Sequence, residues 1–79
     1  MNYDSKLVEE HLWLVKKIAL HLKARLPRHI LLDDLIQSGT LGLIEAAQKF
    51  QTDKGAAFTT YASIRVRGSI LDELRRLDW

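Results

Sequence analysis

The chain has 79 residues, enough for one small domain with a limited core. Hydrophobic residues make up 47% and charged residues 28%, an ordinary balance for a folded domain, and a net charge of +2 means that any nucleic-acid reading rests on where the basic side chains sit rather than on their total. The absence of cysteine excludes a disulfide scaffold or thiolate metal site, no apolar run approaches the roughly 20 residues a bilayer span needs, and Met1-Asn2-Tyr3-Asp4 lacks the form of a signal peptide; a cytoplasmic protein is expected.

The first helical segment is expected from about Ser5 to Leu26. Leu7, Val8, His11, Leu12, Val15, Ile18, Ala19 and Leu22 recur at three- and four-residue steps, the period of an amphipathic helix. Lys16, Lys17, Lys23 and Arg25 lie mostly on the other side. Pro27 ends the segment, because the residue before a proline is pushed out of helical geometry. "PRHILL" reads as a short connector.

The second helix is expected to start at Asp33 as N-cap, with Asp34 beside it at the positive end of the helix dipole, and to run to about Phe50. Ile36, Gly39, Leu43, Ala47 and Phe50 form its inward stripe. Gly39 and Gly42 each cost about 1 kcal/mol relative to alanine inside a helix, and such glycines usually admit another backbone. The outward stripe is Asp34, Gln37, Ser38, Leu41, Glu45 and Gln48. Leu41 stands apolar among polar neighbours, which is either an ordinary surface leucine or the centre of a docking strip with an acidic rim.

"QTDKGAA", residues 51 to 57, reads as a loop. The third helix begins near Thr59 or Thr60, either of which could cap it, and continues to about Leu77. At 100° per residue, Tyr61, Arg65, Gly68, Asp72, Arg75, Arg76 and Trp79 share one side. Ala62, Val66, Ile70, Leu74 and Leu77 share the opposite, apolar side.

The polar side has a plain reading as a solvated surface with ion pairs, such as Asp72 with Arg75 or Arg76. It also has a nucleic-acid reading. Arginine presents a planar fork that fits a guanine edge or a phosphate, and aspartate accepts from the cytosine amino group. Tyrosine is a platform for an unpaired base. Gly68 leaves space for a base or backbone to approach. Phe50 and Phe58 could add aromatic surface, although core packing is the better reading of Phe58.

Enzyme readings do poorly. His11, His21 and His29 form no metal-ligand pattern with each other or with a carboxylate. There is no Gly-rich phosphate loop, nucleophile elbow or pair of catalytic carboxylates. No cofactor, metal or small-molecule substrate is expected.

"LDDLIQSGTLGLIEAAQKF", followed by "GAAFTTYASIRVRGSILDELRRLDW", resembles conserved region 2 of bacterial sigma factors, the subunits that give RNA polymerase its promoter specificity. "FTTYA", "IRVRG" and "ILDELRRLDW" are similar in particular to the motility (flagellar) class of alternative sigma factors. The resemblance covers about His11 to Trp79, with its motifs in fixed order and spacing. It implies a compact, all-α, three-helix domain spanning residues 1–79, expected to be excised from a longer factor.

The resemblance further implies that the second helix docks on a coiled coil of the largest subunit of core RNA polymerase, which maps onto Asp34, Gln37, Ser38, Thr40, Leu41, Ile44 and Glu45. It implies that the third helix and its preceding loop bind the promoter's minus-ten element, help open the duplex and capture unstacked bases of the non-template strand. Stacking maps onto Tyr61, with Phe50 lining a base pocket. Backbone or base contacts map onto Thr60, Arg65, Arg67, Asp72, Arg75 and Arg76, with Arg65 and Asp72 as the expected base readers. Housekeeping sigma factors carry two adjacent tryptophans where Ile64 and Arg65 stand here, so Ile64 is left as a smaller apolar wedge. An anti-sigma protein commonly holds members of this family inactive. The alternatives are a helix-turn-helix repressor-type domain that binds intact duplex, with its reading residues at the N-terminal end of one helix, or a structural or regulatory helical interaction module.

Overall fold

A computed structural model describes residues 4–50 and 57–77. These residues form four helices, α1 (Ser5–Glu10), α2 (Leu12–Lys23), α3 (Leu32–Lys49) and α4 (Phe58–Arg76), and no strand is found among them. The all-α class holds. The expected first helix is divided at His11, which makes four helices of the three foreseen.

The break has a local cause and a tertiary anchor. His11 adopts φ −118° and ψ 10°, outside the helical range. Its N–H donates to the Val8 carbonyl at 3.0 Å, a three-residue turn in place of the helical bond. Its side chain then bonds at both ends. Nδ1–H donates to the Leu7 carbonyl at 2.8 Å, and Nε2 lies 3.3 Å from the Thr59 hydroxyl on α4. A carbonyl only accepts, so in the neutral ring Nδ1 carries the proton and Nε2 accepts from Thr59.

Helix starts differ from expectation in a consistent way. Asp4 caps α1, accepting from the Lys6 and Leu7 N–H groups at 3.0 and 3.2 Å. Asp33 does not cap α3. That helix starts one residue earlier, after an extended Leu31, and Asp33 and Asp34 lie in its first turn, where negative charge meets the helix dipole. Neither Thr59 nor Thr60 caps α4, since Ala57 occupies the cap position and Thr59 turns to His11 instead. At the other end of α2, the helix stops at Lys23, four residues before Pro27. Turns take over, and Lys23 Nζ reaches the Pro27 carbonyl at 3.2 Å. The connector is not wholly outside the core, because Ile30 is buried.

α3 and α4 run antiparallel, as the Ser38–Ser69 and Glu45–Arg65 contacts show, and α2 packs against both. Leu35, Leu43, Ile70, Val15 and Val66 are the largest fully buried side chains. Burying each stabilises the fold by about 1.5–3 kcal/mol relative to exposure. On α4 the expected apolar stripe of Ala62, Val66, Ile70 and Leu74 is buried, while Leu77 beyond it is exposed. On α3 the buried face is Leu35, Gly39, Gly42, Leu43 and Ala46, so the expected stripe is turned by about one position and Ile36, Ala47 and Phe50 flank it. Leu12, placed inward by the sequence period, is exposed, and Leu14 is buried in its place.

Gly42 sets the closeness of α3 to α4. A Cβ there would lie 2.8 Å from Ser69 Cβ, 2.9 Å from the Arg65 carbonyl oxygen and 3.2 Å from Val66 Cα. Two of those three atoms are main chain, so this is backbone approach of the kind the glycine suggested. Gly39 faces side-chain methyls instead, with Val15 Cγ1 at 2.8 Å and Ile70 Cδ1 and Val66 Cγ1 at 3.2 Å. A Ser69 Oγ–H···O bond to the Ser38 carbonyl, 2.7 Å long, closes the same seam.

Candidate nucleic-acid and docking interfaces

The inward stripe of α4 fixes what its other side presents. Because Ala62, Val66, Ile70 and Leu74 face the core, Arg65 and Asp72 must face outward, and Tyr61 sits half-buried at the helix's first turns. Tyr61 lies against Phe50, with ring centroids 6.1 Å apart and planes tilted by 32°. Phe50 meets Phe58 edge-on at 5.2 Å, and Phe58 meets the His11 ring edge-on at 4.8 Å. These edge-to-face contacts tie the residue that follows α3, the first of α4 and the α1–α2 break into one aromatic cluster. Phe58 is buried, as its packing role required. Phe50 and Tyr61 are half-buried at the cluster's rim.

Beyond Tyr61 lies a groove of about 300 Å³ lined by Glu45, Ile64, Arg65, Gly68, Ser69 and Asp72. The two expected base readers therefore share one site. A Cβ on Gly68 would meet nothing within 4 Å, so the floor is open. Arg65 is already engaged, its Nη2 donating to Glu45 Oε1 at 3.4 Å across the helix pair. Glu45 belongs to the expected docking strip, so one ion pair joins the two candidate surfaces. Exposed pairs of this kind contribute about 0–1 kcal/mol, which leaves Arg65 readily exchanged to another acceptor.

Asp72 accepts from Arg75 Nη1 at 2.6 Å. Arg76 pairs with Glu73 rather than Asp72, through Nε at 2.9 Å and Nη2 at 2.6 Å. The Arg76 hydrogen bond holds the Glu73 carboxyl below the usual carboxylate range, and the same contact raises the Arg76 guanidinium, with a smaller contribution from the Asp34 charge. Thr60 is exposed at the start of the helix. Trp79 and the 51–56 stretch lie outside the described residues.

Ile64 and Arg67 stand apart from the Tyr61 side. Ile64 is 67% exposed and forms a crest, lining the Arg65–Asp72 groove on one flank and a second groove on the other. Arg67 lies wholly in that second groove, between α2 and α4, with Lys17 and Ile18. The α2 contribution was not visible in the residue pattern of α4. Its signal was the Lys16–Lys17 pair off the inward stripe of its own helix, of which Lys17 lines this groove.

The residues of the expected docking strip divide between exposed and inward positions. Asp34, Gln37, Leu41 and Glu45 are exposed along one side of α3, with Leu41 at 63%. Ser38 is half-buried, its carbonyl taken by Ser69. Thr40 Oγ1 donates to the Ile36 carbonyl at 2.7 Å, within its own helix. Ile44 packs against the core. Four of the seven strip residues are thus exposed, Glu45 among them paired with Arg65, and the other three border them.

The described residues hold no cluster of three metal-ligating groups and no helix long and apolar enough to cross a membrane.

The sequence matches the family described as Sigma-70 region 2 over residues 7–79. It is 50% identical over 78 residues to the RNA polymerase sigma factor FliA of Pseudomonas aeruginosa, covering 99% of this chain and 32% of that protein. It is 48% identical over 73 residues to the protein of the same name in Escherichia coli K12, covering 92% of this chain and 30% of that one. The RNA polymerase sigma factor for flagellar operon of Vibrio parahaemolyticus is 37% identical over 76 residues, with 96% of this chain and 31% of that protein covered. The chain thus spans about a third of the length of the curated relatives it matches.

Proposed function

The chain belongs to the sigma-70 region 2 family, and from that premise we propose that it is the promoter-recognition and polymerase-docking module of a flagellar-type alternative sigma factor. It has no catalysis of its own and works in the cytoplasm, where the polymerase is. The exposed strip Asp34, Gln37, Leu41 and Glu45 docks on the coiled coil of the polymerase's largest subunit, with Leu41 as apolar anchor and the acids as rim. The outward side of α4 takes the non-template strand of the minus-ten element. Tyr61 stacks an unpaired base beside Phe50, Arg65 and Asp72 read base edges in the groove floored by Gly68, and Thr60, Arg67, Arg75 and Arg76 contact backbone. An anti-sigma protein is the expected inhibitor.

The observation that carries the reading is the placement of a half-buried tyrosine, an arginine and an aspartate along one open side of a helix whose other side is fully packed. An intact-duplex reader would concentrate these residues at the helix's N-terminal end, whereas Tyr61 and Asp72 lie eleven positions apart.

Tyr61→Ala separates the two functions. In a polymerase holoenzyme built with the full-length factor, it is expected to reduce open-complex formation while leaving core binding intact. Equal loss in both assays would assign Tyr61 to the aromatic cluster's stability instead.

A further inference from the structure

The groove between α2 and α4 is built from two helices and differs in chemistry from the base-reading groove across the Ile64 crest. Its larger part, about 600 Å³, is lined by Lys17, Ile18, Leu20, His21 and Arg67. A contiguous part of about 260 Å³ adds Leu14, Ser63 and Ile64. No carboxylate lines either part. Among the described residues, Lys17 and Arg67 make no ion pair, unlike Arg65, Arg75 and Arg76 on the opposite flank. Two unneutralised cations from separate helices therefore face the same space, with aliphatic side chains between them.

We infer that this groove is a track for the DNA phosphate backbone, in which Lys17 of α2 joins Arg67 of α4 in holding the promoter strand whose bases lie on the far side of Ile64. The inference rests on the proposed function and extends the nucleic-acid surface to a helix outside it. Two observations favour DNA over an acidic protein segment. The groove adjoins the base-reading groove, the two sharing Ile64 as their common wall. The two grooves also divide the work a strand requires, since one has paired donors and acceptors suited to base edges and the other carries Lys17 and Arg67 with no carboxylate. Trp13 and Lys17 are both exposed and lie four positions apart on α2.

The test uses the polymerase holoenzyme assembled with the full-length factor and a forked promoter fragment, titrated over a series of salt concentrations. Lys17→Gln keeps most of the stem of an exposed side chain, so folding is unaffected. It is expected to weaken binding several-fold, by the same factor for every minus-ten variant, and to lower the slope of log K against log salt by about 1. Lys17→Arg is expected to restore both. Unchanged affinity and slope in Lys17→Gln would overturn the inference and leave the groove to an acidic protein segment. A loss confined to particular promoter bases would also overturn it, by making Lys17 a base reader. If Arg65→Ala and Asp72→Ala still change base preference while Lys17→Gln does nothing, the track fails and the proposed function stands. If none of the three changes DNA binding, both fail.

Discussion

α4 meets its two neighbours in opposite ways. Against α3 it lies close enough for the Gly42 position to touch the Arg65 carbonyl and Val66 Cα, and the seam is closed by the Ser69–Ser38 hydrogen bond and the Arg65–Glu45 pair. Against α2 it leaves open grooves with aliphatic walls and unpaired cations. The seam ties α3 closely to α4, so the proposed docking strip on the first and the proposed base-reading side of the second hold a fixed relation. The groove does the reverse, leaving side chains of α2 and α4 free for something that is not part of the domain. Small residues at 42 and 69 produce the first arrangement, and long cationic ones at 17 and 67 the second.

The seam breaks most readily at its glycine. Gly42→Val adds branched carbons against main-chain atoms that cannot rotate away, and is expected to cost about 3 kcal/mol of stability, the upper part of the range for overpacking. Chemical denaturation of the variant measures this. Survival at wild-type stability would mean that α3 and α4 can separate without loss and that the close-seam account is wrong.

Gly68 sharpens the comparison, since it lies in the same helix with empty space outside it. Gly68→Ala is expected to stabilise the domain by about 0.5–1 kcal/mol through helix propensity, while weakening promoter binding by filling the groove floor. Thermal melts and promoter binding of one variant should therefore move in opposite directions. Loss in both would place Gly68 in the fold and not in the site.

On the groove side, Lys17→Gln and Arg67→Gln are expected to leave stability within about 0.5 kcal/mol of wild type, as for exposed residues without partners. The smallest effect belongs to the Glu73–Arg76 pair at the end of α4. Its hydrogen bond lowers the folded carboxyl pKa, so its contribution is present above the ordinary carboxylate range and fades as pH falls through the lowered value. Glu73→Gln should slightly lower the melting temperature at neutral pH and leave the acid end, where the pair is already lost, nearly unchanged, so that the acid side of the profile flattens.

Much of this was legible in the residues, and the part that was not has physical reasons. The apolar period of α4 places its inner and outer sides without further information, and the glycines of α3 announce a close neighbour. The division of the first helix was hidden because the apolar period continues through His11; what breaks it is a set of contacts to Leu7, Thr59 and Phe58, two of them far along the chain. Asp33 and the Thr59–Thr60 pair looked like caps because cap residues are recognised by type. Thr59 has a tertiary partner that type alone does not reveal, and Asp33 serves in the first turn. The Arg65–Glu45 pair needed the register of two helices, and the α2–α4 groove needed their crossing, neither of which a single helical wheel contains.

The central claim is that the outer side of α4 reads separated promoter bases with Arg65 and Asp72. The most direct measurement is the affinity of the holoenzyme for forked promoter fragments carrying each single-base change in the non-template minus-ten strand, compared between wild type, Arg65→Ala and Asp72→Ala. The account predicts that each variant loses about 1–3 kcal/mol of discrimination at one or two particular positions and keeps its preference elsewhere. A loss spread evenly over every position, or no loss at any, would contradict it.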